Sequence, residues 1–412
     1  MARRETAAGP GSRALVVDLI RSSGPISRVE LTEITGLTQP SISNIVRRLI
    51  ADGVVRETDH TVSTGGKPRT LLVMNSRALF AVGIQLGTES AVGIAADSTG
   101  GVFGRQRFAG AGTDEPGRVV HRLAQDYRDL VAGLGLDESR IAGLSVVAPG
   151  PIDLVRGTLL GPPSLRRWHD FPLREALSDL IEVPVLIDND SAAAALGEFW
   201  SRQVPRGSTY ACVYMGAGIG GGIVSEGSLY RGASSNPAEL GHISVEIGGR
   251  ACFCGNRGCL ERYAAPPAVV ATARDDEALV AELGLDPHDD ELAFDTLARA
   301  AVQGHPGALA LIEASAQLLA EATLTFANLI DIDRITLAGW GFAIAGSIYA
   351  RAIGDALRAR AFARSAHLVQ VELSSNPRDS AAVGAAALIL QSSLAPGHGP
   401  RPARRTDLGM RH

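Results

Sequence analysis

The sequence predicts an α/β protein with a small N-terminal helical domain followed by a larger body of two related α/β lobes. Two observations lead to this prediction. Residues 1–75 carry 10 basic and 7 acidic side chains, a net charge of +3, whereas the remainder carries 29 basic and 37 acidic ones, a net charge of −8. The apolar spacing changes from helical to strand-like near Phe80, and a similar passage of strands begins again at Tyr210.

The length and composition are those of a multidomain globular chain. Its 412 residues suffice for two or three domains, and 45% are hydrophobic and 20% charged. No stretch approaches the roughly 18 uninterrupted apolar residues that span a membrane, and Glu5, Arg13 and Asp18 interrupt any signal-peptide core. A cytoplasmic protein without a membrane partner is expected. We assign residues 1–12 to a disordered N-terminus, 13–75 to the N-terminal domain, 79–394 to the body and 395–412 to a disordered tail.

The N-terminal domain is predicted to contain three short helices. An apolar stripe over residues 15–20 predicts the first helix. Ser27 and Glu30 fit the capping box that opens a second helix, in which each side chain bonds a free backbone N–H group. Thr38 can cap a third helix, whose apolar stripe runs over residues 42–50.

The opposite face of the third helix is polar and is expected to contact DNA. Short polar side chains there can reach base edges in a major groove, and arginines one turn later can reach phosphates. Two predicted strands follow, at 54–56 and 70–73, and flank a glycine-rich basic loop. This is the pattern of a winged helix-turn-helix; a protein-interaction domain or dimerisation cap is the alternative, and the basic loop favours DNA. The candidate DNA contacts are Gln39, Ser41, Ser43, Asn44, Arg47, Lys67 and Arg69.

The body is predicted to fold as two similar lobes. Each lobe opens with hairpin-forming strands and continues with alternating helices and strands. The matching strand passages are 81–84, 91–94 and 102–108 in the first lobe and 210–215, 220–224 and 228–230 in the second. A ligand is expected between the lobes, because such clefts are preferred binding sites.

Two segments can bring polar groups to this cleft. The apolar strand 183–188 ends in Asn189 and Asp190, and strand ends in such sheets carry functional side chains. The pair could bond adjacent hydroxyls, and Asp190 could accept a proton from one. Spacing alone fits a helix N-cap at Asp190 equally well. The glycine run 216–222 could approach an anion, although glycine-rich hairpin turns are common and the sequence has no Walker motif.

A cluster of cysteines predicts a metal site. Three of the four cysteines fall within eight residues, which favours metal ligation over disulfides or a chance cluster. Three thiolates and one imidazole complete a tetrahedral zinc site, so a structural zinc is expected. Glu239 and Glu261 flank the cluster and either face the cleft or lie on the surface. The expected ligands, in the pattern H-x9-C-x-C-x4-C, are His242, Cys252, Cys254 and Cys259.

Together these residues resemble the ROK family (repressor, open reading frame, kinase), from about Arg13 to Leu394. The resemblance is most specific in Glu239-Leu-Gly-His242 and in the segment 252–261. It implies an actin-like, hexokinase-like fold, a duplicated ribonuclease H-like architecture, in either a sugar kinase or a sugar-responsive transcription factor. In the kinases, the aspartate matching Asp190 is the general base. The sugar contacts that the resemblance implies are Asn189, Asp190, Glu239, His242 and Glu261.

Departures from the kinase pattern favour the regulatory branch. Where the kinases read Asp-x-Gly-Gly-Thr, this chain reads Gln85-Leu-Gly-Thr-Glu89, and a carboxylate there would repel a γ-phosphate. Trp340 stands in the glycine-rich adenosine-side motif. ATP is therefore not expected as a cofactor. Ser164 stands where the family's sugar loop has an asparagine, which favours an unusual sugar or one larger than a hexose.

The leading hypothesis is a sugar-responsive DNA-binding transcriptional regulator, a repressor of carbohydrate-metabolism genes. It would act as a homodimer or homotetramer on a palindromic operator in double-stranded DNA, with a sugar or sugar derivative as effector. One alternative is an ATP-dependent kinase of a hexose or amino sugar with a regulatory DNA-binding domain, in which Asp190 would be catalytic. The other is a constitutive DNA binder with a vestigial sugar domain.

Overall fold

The computed structural model describes residues 10–62, 69–161, 163–202, 204–205 and 207–394. The helices are α1 (Pro10–Ser23), α2 (Arg28–Thr35), α3 (Gln39–Ala51), α4 (Pro116–Gly133), α5 (Leu173–Ser178), α6 (Asp190–Ser201), α7 (Glu261–Ala264), α8 (Pro266–Arg274), α9 (Glu277–Leu283), α10 (Asp290–Val302), α11 (Pro306–Ile330), α12 (Gly346–Arg360) and α13 (Ser380–Leu394). The strands are β1 (Ile26–Ser27), β2 (Val55–Val62), β3 (Arg69–Met74), β4 (Phe80–Leu86), β5 (Ser90–Asp97), β6 (Val102–Ala109), β7 (Ile141–Ala148), β8 (Ile152–Asp153), β9 (Thr158–Leu160), β10 (His169–Phe171), β11 (Val185–Asn189), β12 (Tyr210–Met215), β13 (Ile219–Ser225), β14 (Ser228–Leu229), β15 (Arg334–Ala338) and β16 (Gln370–Leu373).

The N-terminal domain is a winged helix-turn-helix: three helices and a small sheet in the order β1-β3-β2. Local sequence fixes its helix ends. Ser27 and Glu30 form both hydrogen bonds of the capping box, and Gly36 ends α2 with a φ of 68°. The Thr38 side chain accepts from the Ser41 N–H at the start of α3. The predicted helix boundaries therefore follow from side chains that satisfy free backbone groups.

Some predicted boundaries differ from the structure. Helix α1 begins at Pro10, so the last three residues of the segment expected to be disordered are helical. The strand predicted at 54–56 is longer and runs to Val62, because it pairs with β3 along most of its length. Residues 1–9, the tail 395–412 and Lys67 in the wing lie outside the described residues.

The body contains two five-stranded sheets with the same topology, as the repeated strand pattern predicted. Their orders are β6-β5-β4-β7-β11 and β14-β13-β12-β15-β16. In each sheet the first three strands of the lobe pair antiparallel, and the last two continue the sheet in parallel from its central strand. Two copies of one topology form the duplicated, actin-like architecture.

Helices α6 and α13 cross between the lobes and pack against each other at their centre. Helix α6 leaves the end of β11 and packs on the second sheet, whereas α13 packs on β4, β5 and β7 of the first sheet. The outer faces are covered by α4 and α5 on the first lobe and by α11 and α12 on the second. One continuous apolar core includes α6, α13, both inner sheet faces and the N-terminal domain.

Of the described helices, α11 alone is long and apolar enough to cross a membrane by length and composition. Ten of its residues, including Ile312, Leu319 and Phe326, are buried inside the protein. They belong to the apolar core of the second lobe. The apolar character of this helix is therefore explained by its burial against α10 and α12.

Candidate functional site

One cavity of about 370 Å³ lies between the lobes. Its wall is formed by the end of β11, the β12–β13 glycine hairpin, the loop before the cysteine cluster and the start of α7. Ser164, from the segment that resembles the family's sugar loop, also lines it. The structure places all five expected sugar contacts in this wall: Asn189, Asp190, Glu239, His242 and Glu261.

The end of β11 separates the roles of Asn189 and Asp190. The Asn189 Oδ1 atom accepts from the N–H groups of Ser191, at 2.9 Å, and Ala192, at 3.1 Å, and so caps α6. The N-cap interpretation of Asp190 is therefore wrong, because Asp190 is the first helical residue. Its carboxyl group is buried, accepts from Ser191 and belongs to the cavity wall.

Burial of acidic groups gives the cavity an unusual protonation chemistry. Burial raises the pKa of Asp190 to about 6. Desolvation by the cavity wall raises the pKa of Glu239 to about 7, and the charges of Asp190 and Glu261 add to the effect. The pKa of Glu261 is raised by burial, an effect that His242 opposes. Such carboxyl groups are strong acceptors for hydroxyl donors once they are ionised.

The cysteine cluster is compact enough to hold a metal ion. One ligand atom from each of four residues lies within 4.8 Å of the others. The Sγ atoms of Cys254 and Cys259 are 3.7 Å apart, and His242 Nδ1 is 3.6 Å from Cys252 Sγ. Ligands bound to one tetrahedral zinc would be separated by about 3.8 Å for two sulfurs and about 3.5 Å for sulfur and nitrogen. The donor set and its spacing therefore fit such an ion.

Tight backbone turns shape the loop that carries these ligands. Gly258 has a φ of 74°, and a Cβ atom there would lie 1.8 Å from the Glu246 carbonyl oxygen, so only glycine fits. The Cys252 N–H donates to the Asn256 carbonyl, and Ser244 pairs with Cys259 as an isolated bridge. Glu239 and Glu261, at the two ends of this loop, are thereby held at the cavity.

Two contacts across the lobes were not predicted from the sequence. The buried Asp188 carboxylate accepts two hydrogen bonds from Arg231, at 2.8 and 2.6 Å. The Asn236 side chain bonds both the N–H and the carbonyl of Ile152, as a strand would. An aspartate inside an apolar strand signals that a partner is needed, but nothing in the sequence identifies Arg231 as that partner. Both contacts fix the loop that leads to Glu239.

The region that differs from the kinase pattern is filled by this chain's own side chains. The Gln85 amide donates to the Tyr214 hydroxyl at 2.6 Å. The Trp340 indole lies against Gly216 of the glycine hairpin and makes an edge contact with Phe294 at 5.9 Å between centroids. Glu89 is exposed at the β4–β5 turn and is not among the described residues of the cavity wall.

Helix α3 presents the expected polar face. Its apolar stripe is buried in the N-terminal domain, whereas Gln39, Ser43, Asn44 and Arg47 are exposed. Arg47 donates to the Asn44 side-chain oxygen. Ser41 is half-buried, and its hydroxyl bonds Thr38 at 2.9 Å. Arg69 begins β3, and the wing loop between β2 and β3 lies outside the described residues.

Comparison with known proteins gives the same division of the chain. Residues 81–392 match the ROK family, and residues 15–56 match a winged helix-turn-helix DNA-binding family. The xylose repressor of Caldicellulosiruptor bescii is 26% identical over 93% of this chain and 96% of its own length. The N-acetylglucosamine repressor of Escherichia coli O6:H1 is 28% identical over 79% of each chain.

A solved structure extends the similarity to the whole arrangement of domains. It is a ROK family transcriptional regulator described as a homolog of the E. coli MLC protein. It is 25% identical to this chain, with a TM-score of 0.74, and the match covers 94% of this chain and 97% of that one. The duplicated sheets of the body agree with the family match over residues 81–392, and the chain belongs to the ROK family.

Proposed function

We propose that this protein is a cytoplasmic, sugar-responsive transcriptional repressor. The observation that carries the proposal is one chain that joins a winged helix-turn-helix with an exposed polar recognition face to a body whose interlobe cavity is lined by three carboxyl groups, those of the buried Asp190 and of Glu239 and Glu261. Two proteins that it resembles over most of its length are named as a xylose repressor and an N-acetylglucosamine repressor, which supports the proposal. We infer that a homodimer or homotetramer presents paired α3 helices to a palindromic duplex.

A neutral sugar is the proposed effector. A cavity of about 370 Å³ is within the size range of small-molecule sites. The ionised carboxylates of Asp190, Glu239 and Glu261 would accept from adjacent sugar hydroxyls. Because the Asn189 oxygen is used by the helix, its NH₂ group, which faces Gly150, is left to donate to a sugar oxygen. The site thus offers both acceptors and a donor on one wall.

Zinc is the proposed ion of the cysteine cluster. A closed site of three thiolates and one imidazole supplies folding energy to its loop and leaves no position for a substrate. His242 directs Nδ1 toward Cys252, so its Nε2 group would be available to a sugar hydroxyl. The same residue would therefore serve both as a metal ligand, as the cysteine spacing predicts, and as a sugar contact, as the resemblance implies.

A thermal-shift screen tests this function. The purified chain is mixed with D-xylose, N-acetyl-D-glucosamine and D-glucose, each with and without magnesium ATP. A binding sugar at about one hundred times its Kd stabilises by about 2.7 kcal/mol, which corresponds to a rise in Tm of about 3–4 °C for a chain of this size. That sugar should also change the affinity for a duplex selected by the protein from a randomised library. If no sugar changes the Tm, the result favours the constitutive DNA binder.

A sugar kinase is the second candidate, and one observation favours it. Asp190 is buried in the cavity with a pKa of about 6, which suits a general base. The Gln85–Tyr214 bond and the Trp340 indole against the glycine hairpin argue against nucleotide binding. We expect ATP to produce no Tm shift and no phosphorylated sugar. Transfer that is lost in Asp190→Ala would instead establish the kinase.

Substitutions in α3 should separate base contacts from phosphate contacts. Asn44→Ala is expected to cost about 1–3 kcal/mol on the selected duplex and little on random DNA, because an amide reads base edges. Arg47→Ala should weaken binding to both the selected and the random duplex. It should also reduce the slope of log K against log salt concentration by about 1, the amount expected for one lost phosphate contact. Filter binding over a salt series measures both quantities, with Arg351→Ala on α12 of the second lobe as control. Equal losses of Asn44→Ala on both duplexes would reverse its assigned role.

A further inference from the structure

Helix α1 of the N-terminal domain rests on the ends of both lobe-crossing helices. Helix α6 starts at Asp190 in the cavity and ends at Ser201 beside the N-terminal domain. Its twelve residues, at a rise of about 1.5 Å each, make it about 18 Å long. Helix α13 ends at Leu394 near the same domain. One crossing helix packs on each sheet, so α1 touches an element from each lobe.

The two crossing helices meet backbone to backbone. A Cβ atom on Gly384 of α13 would lie 1.8 Å from the Ala193 carbonyl oxygen of α6. A Cβ atom on Gly197 would lie 2.7 Å from the Gly384 nitrogen. With no side chains between them at this point, the helices cannot approach further. A change in the angle between the lobes must therefore appear as a relative movement of their ends.

Two arginines of α1 bind these ends separately. Arg21 is buried, donates to the Trp200 carbonyl at 3.2 Å and stacks on the Trp200 ring at 4.3 Å from its centroid. Asp18 holds the same guanidinium at 2.8 Å. Arg13 donates to the Leu394 carbonyl at 3.0 Å. Carbonyls in the last turn of a helix lack intrahelical partners, so both arginines complete a helix end.

Space at this junction allows α1 to shift. A cavity of about 560 Å³ lies between the N-terminal domain and the body, lined by Arg21, Met74, Gly100, Gly197 and Trp200 among others. On its other side α1 packs into the core that also buries the apolar stripe of α3. A displacement of α1 would therefore carry the recognition helix with it.

We propose that α1 detects the angle between the lobes, with Arg21 and Arg13 as positioning residues that couple the sugar cavity to the DNA-binding helix. This inference rests on the proposed function. Sugar binding at the start of α6 moves its far end relative to α13, and the paired arginine contacts convert that movement into a rotation of the N-terminal domain. By reciprocity, DNA must change sugar affinity by the same factor.

The coupling ratio is the measurement that tests this inference. It is the Kd for the selected duplex with saturating effector divided by the Kd without it, using whichever of D-xylose, N-acetyl-D-glucosamine or D-glucose binds. A wild-type effect of about 5–150-fold is typical. We expect Arg21→Gln and Trp200→Leu to reduce that effect at least about fivefold, while the Kd for DNA without sugar and the Kd for sugar without DNA each stay within about twofold. Arg28→Gln, which loses an ion pair with Glu57 inside the N-terminal domain, should preserve it.

The outcomes separate the two proposals. A wild-type effect that survives in Arg21→Gln and in the Arg13→Gln/Arg21→Gln double variant would overturn the coupling route alone. A wild-type protein whose DNA affinity ignores every sugar that binds would overturn the proposed function and this inference with it. If the variants fail to fold, the inference is tested by comparing hydrogen exchange of the wild-type chain with and without sugar. Sugar should alter exchange within 10–23, and protection confined to the cavity would refute the inference.

Discussion

Replacing Cys259 with serine is expected to weaken sugar binding by about 100-fold or more while DNA binding without sugar is largely retained. The variant loses a buried ligand of the proposed zinc. Without the zinc ion the loop loses the bonds that hold it folded. Glu239 and Glu261 are then no longer held in the cavity wall. The N-terminal domain has its own helices, sheet and capping bonds and does not contain this loop.

Metal content and sugar affinity should change together. Atomic emission is expected to find about one zinc per wild-type chain and none in Cys259→Ser, and calorimetry measures the sugar Kd. Cys212→Ala provides the matched control, because Cys212 is equally buried but lies in β12 away from the cluster. It should keep the metal and the affinity. A Cys259→Ser protein with unchanged sugar affinity would show that the metal loop does not position the carboxyl groups.

The fold was predictable because its signals are local or repeated. The capping box at Ser27 and Glu30 specifies a helix start through two hydrogen bonds within four residues. The two strand passages of the body specify two sheets of one topology. The clustering of His242 and the three cysteines was equally predictable, since a spacing of one to nine intervening residues keeps them close in any compact loop.

The contacts between the lobes, and those between the N-terminal domain and the body, could not be predicted, because they join distant parts of the chain. Arg231 reaches Asp188 across 43 residues, and Arg21 reaches Trp200 across 179. Neither arginine stands in a motif. The spacing likewise allowed an N-cap at Asp190, and only the extended backbone of Asn189 at the end of β11 shows that Asn189 holds this position. Side-chain roles at strand ends thus need the structure even when the residues themselves are evident.

The site also shows why a binding function costs stability. Asp190 has a folded-state pKa raised from 3.8 to about 6, so between these values the folded protein binds a proton that the unfolded chain does not. The free energy of unfolding therefore falls as pH rises through this window. The penalty above pH 6 amounts to about 3 kcal/mol at most, since one pKa unit is about 1.4 kcal/mol.

Asp190→Asn is accordingly expected to raise stability and weaken sugar binding. Its gain in unfolding free energy over the wild type should be larger at pH 7.5 than at pH 4.5, as urea denaturation at both values would measure. Its sugar affinity should fall by about tenfold or more, because a charge-assisted acceptor is lost. Wild-type affinity should itself fall on acidification from pH 7.5 to 5.5, as Glu239 and then Asp190 become protonated.

Asp126→Asn separates the two effects, because the pKa of Asp126 is also raised to about 6 by burial but the residue lies on α4 outside the cavity. It should reproduce the direction of the pH-dependent stability gain and leave sugar affinity unchanged. If Asp190→Asn binds sugar as well as the wild type does, Asp190 is not a sugar contact. In that case the stability lost by burying the Asp190 carboxylate is not explained by sugar binding. If instead affinity falls while stability rises, the buried carboxylate is retained for recognition against the preference of the fold.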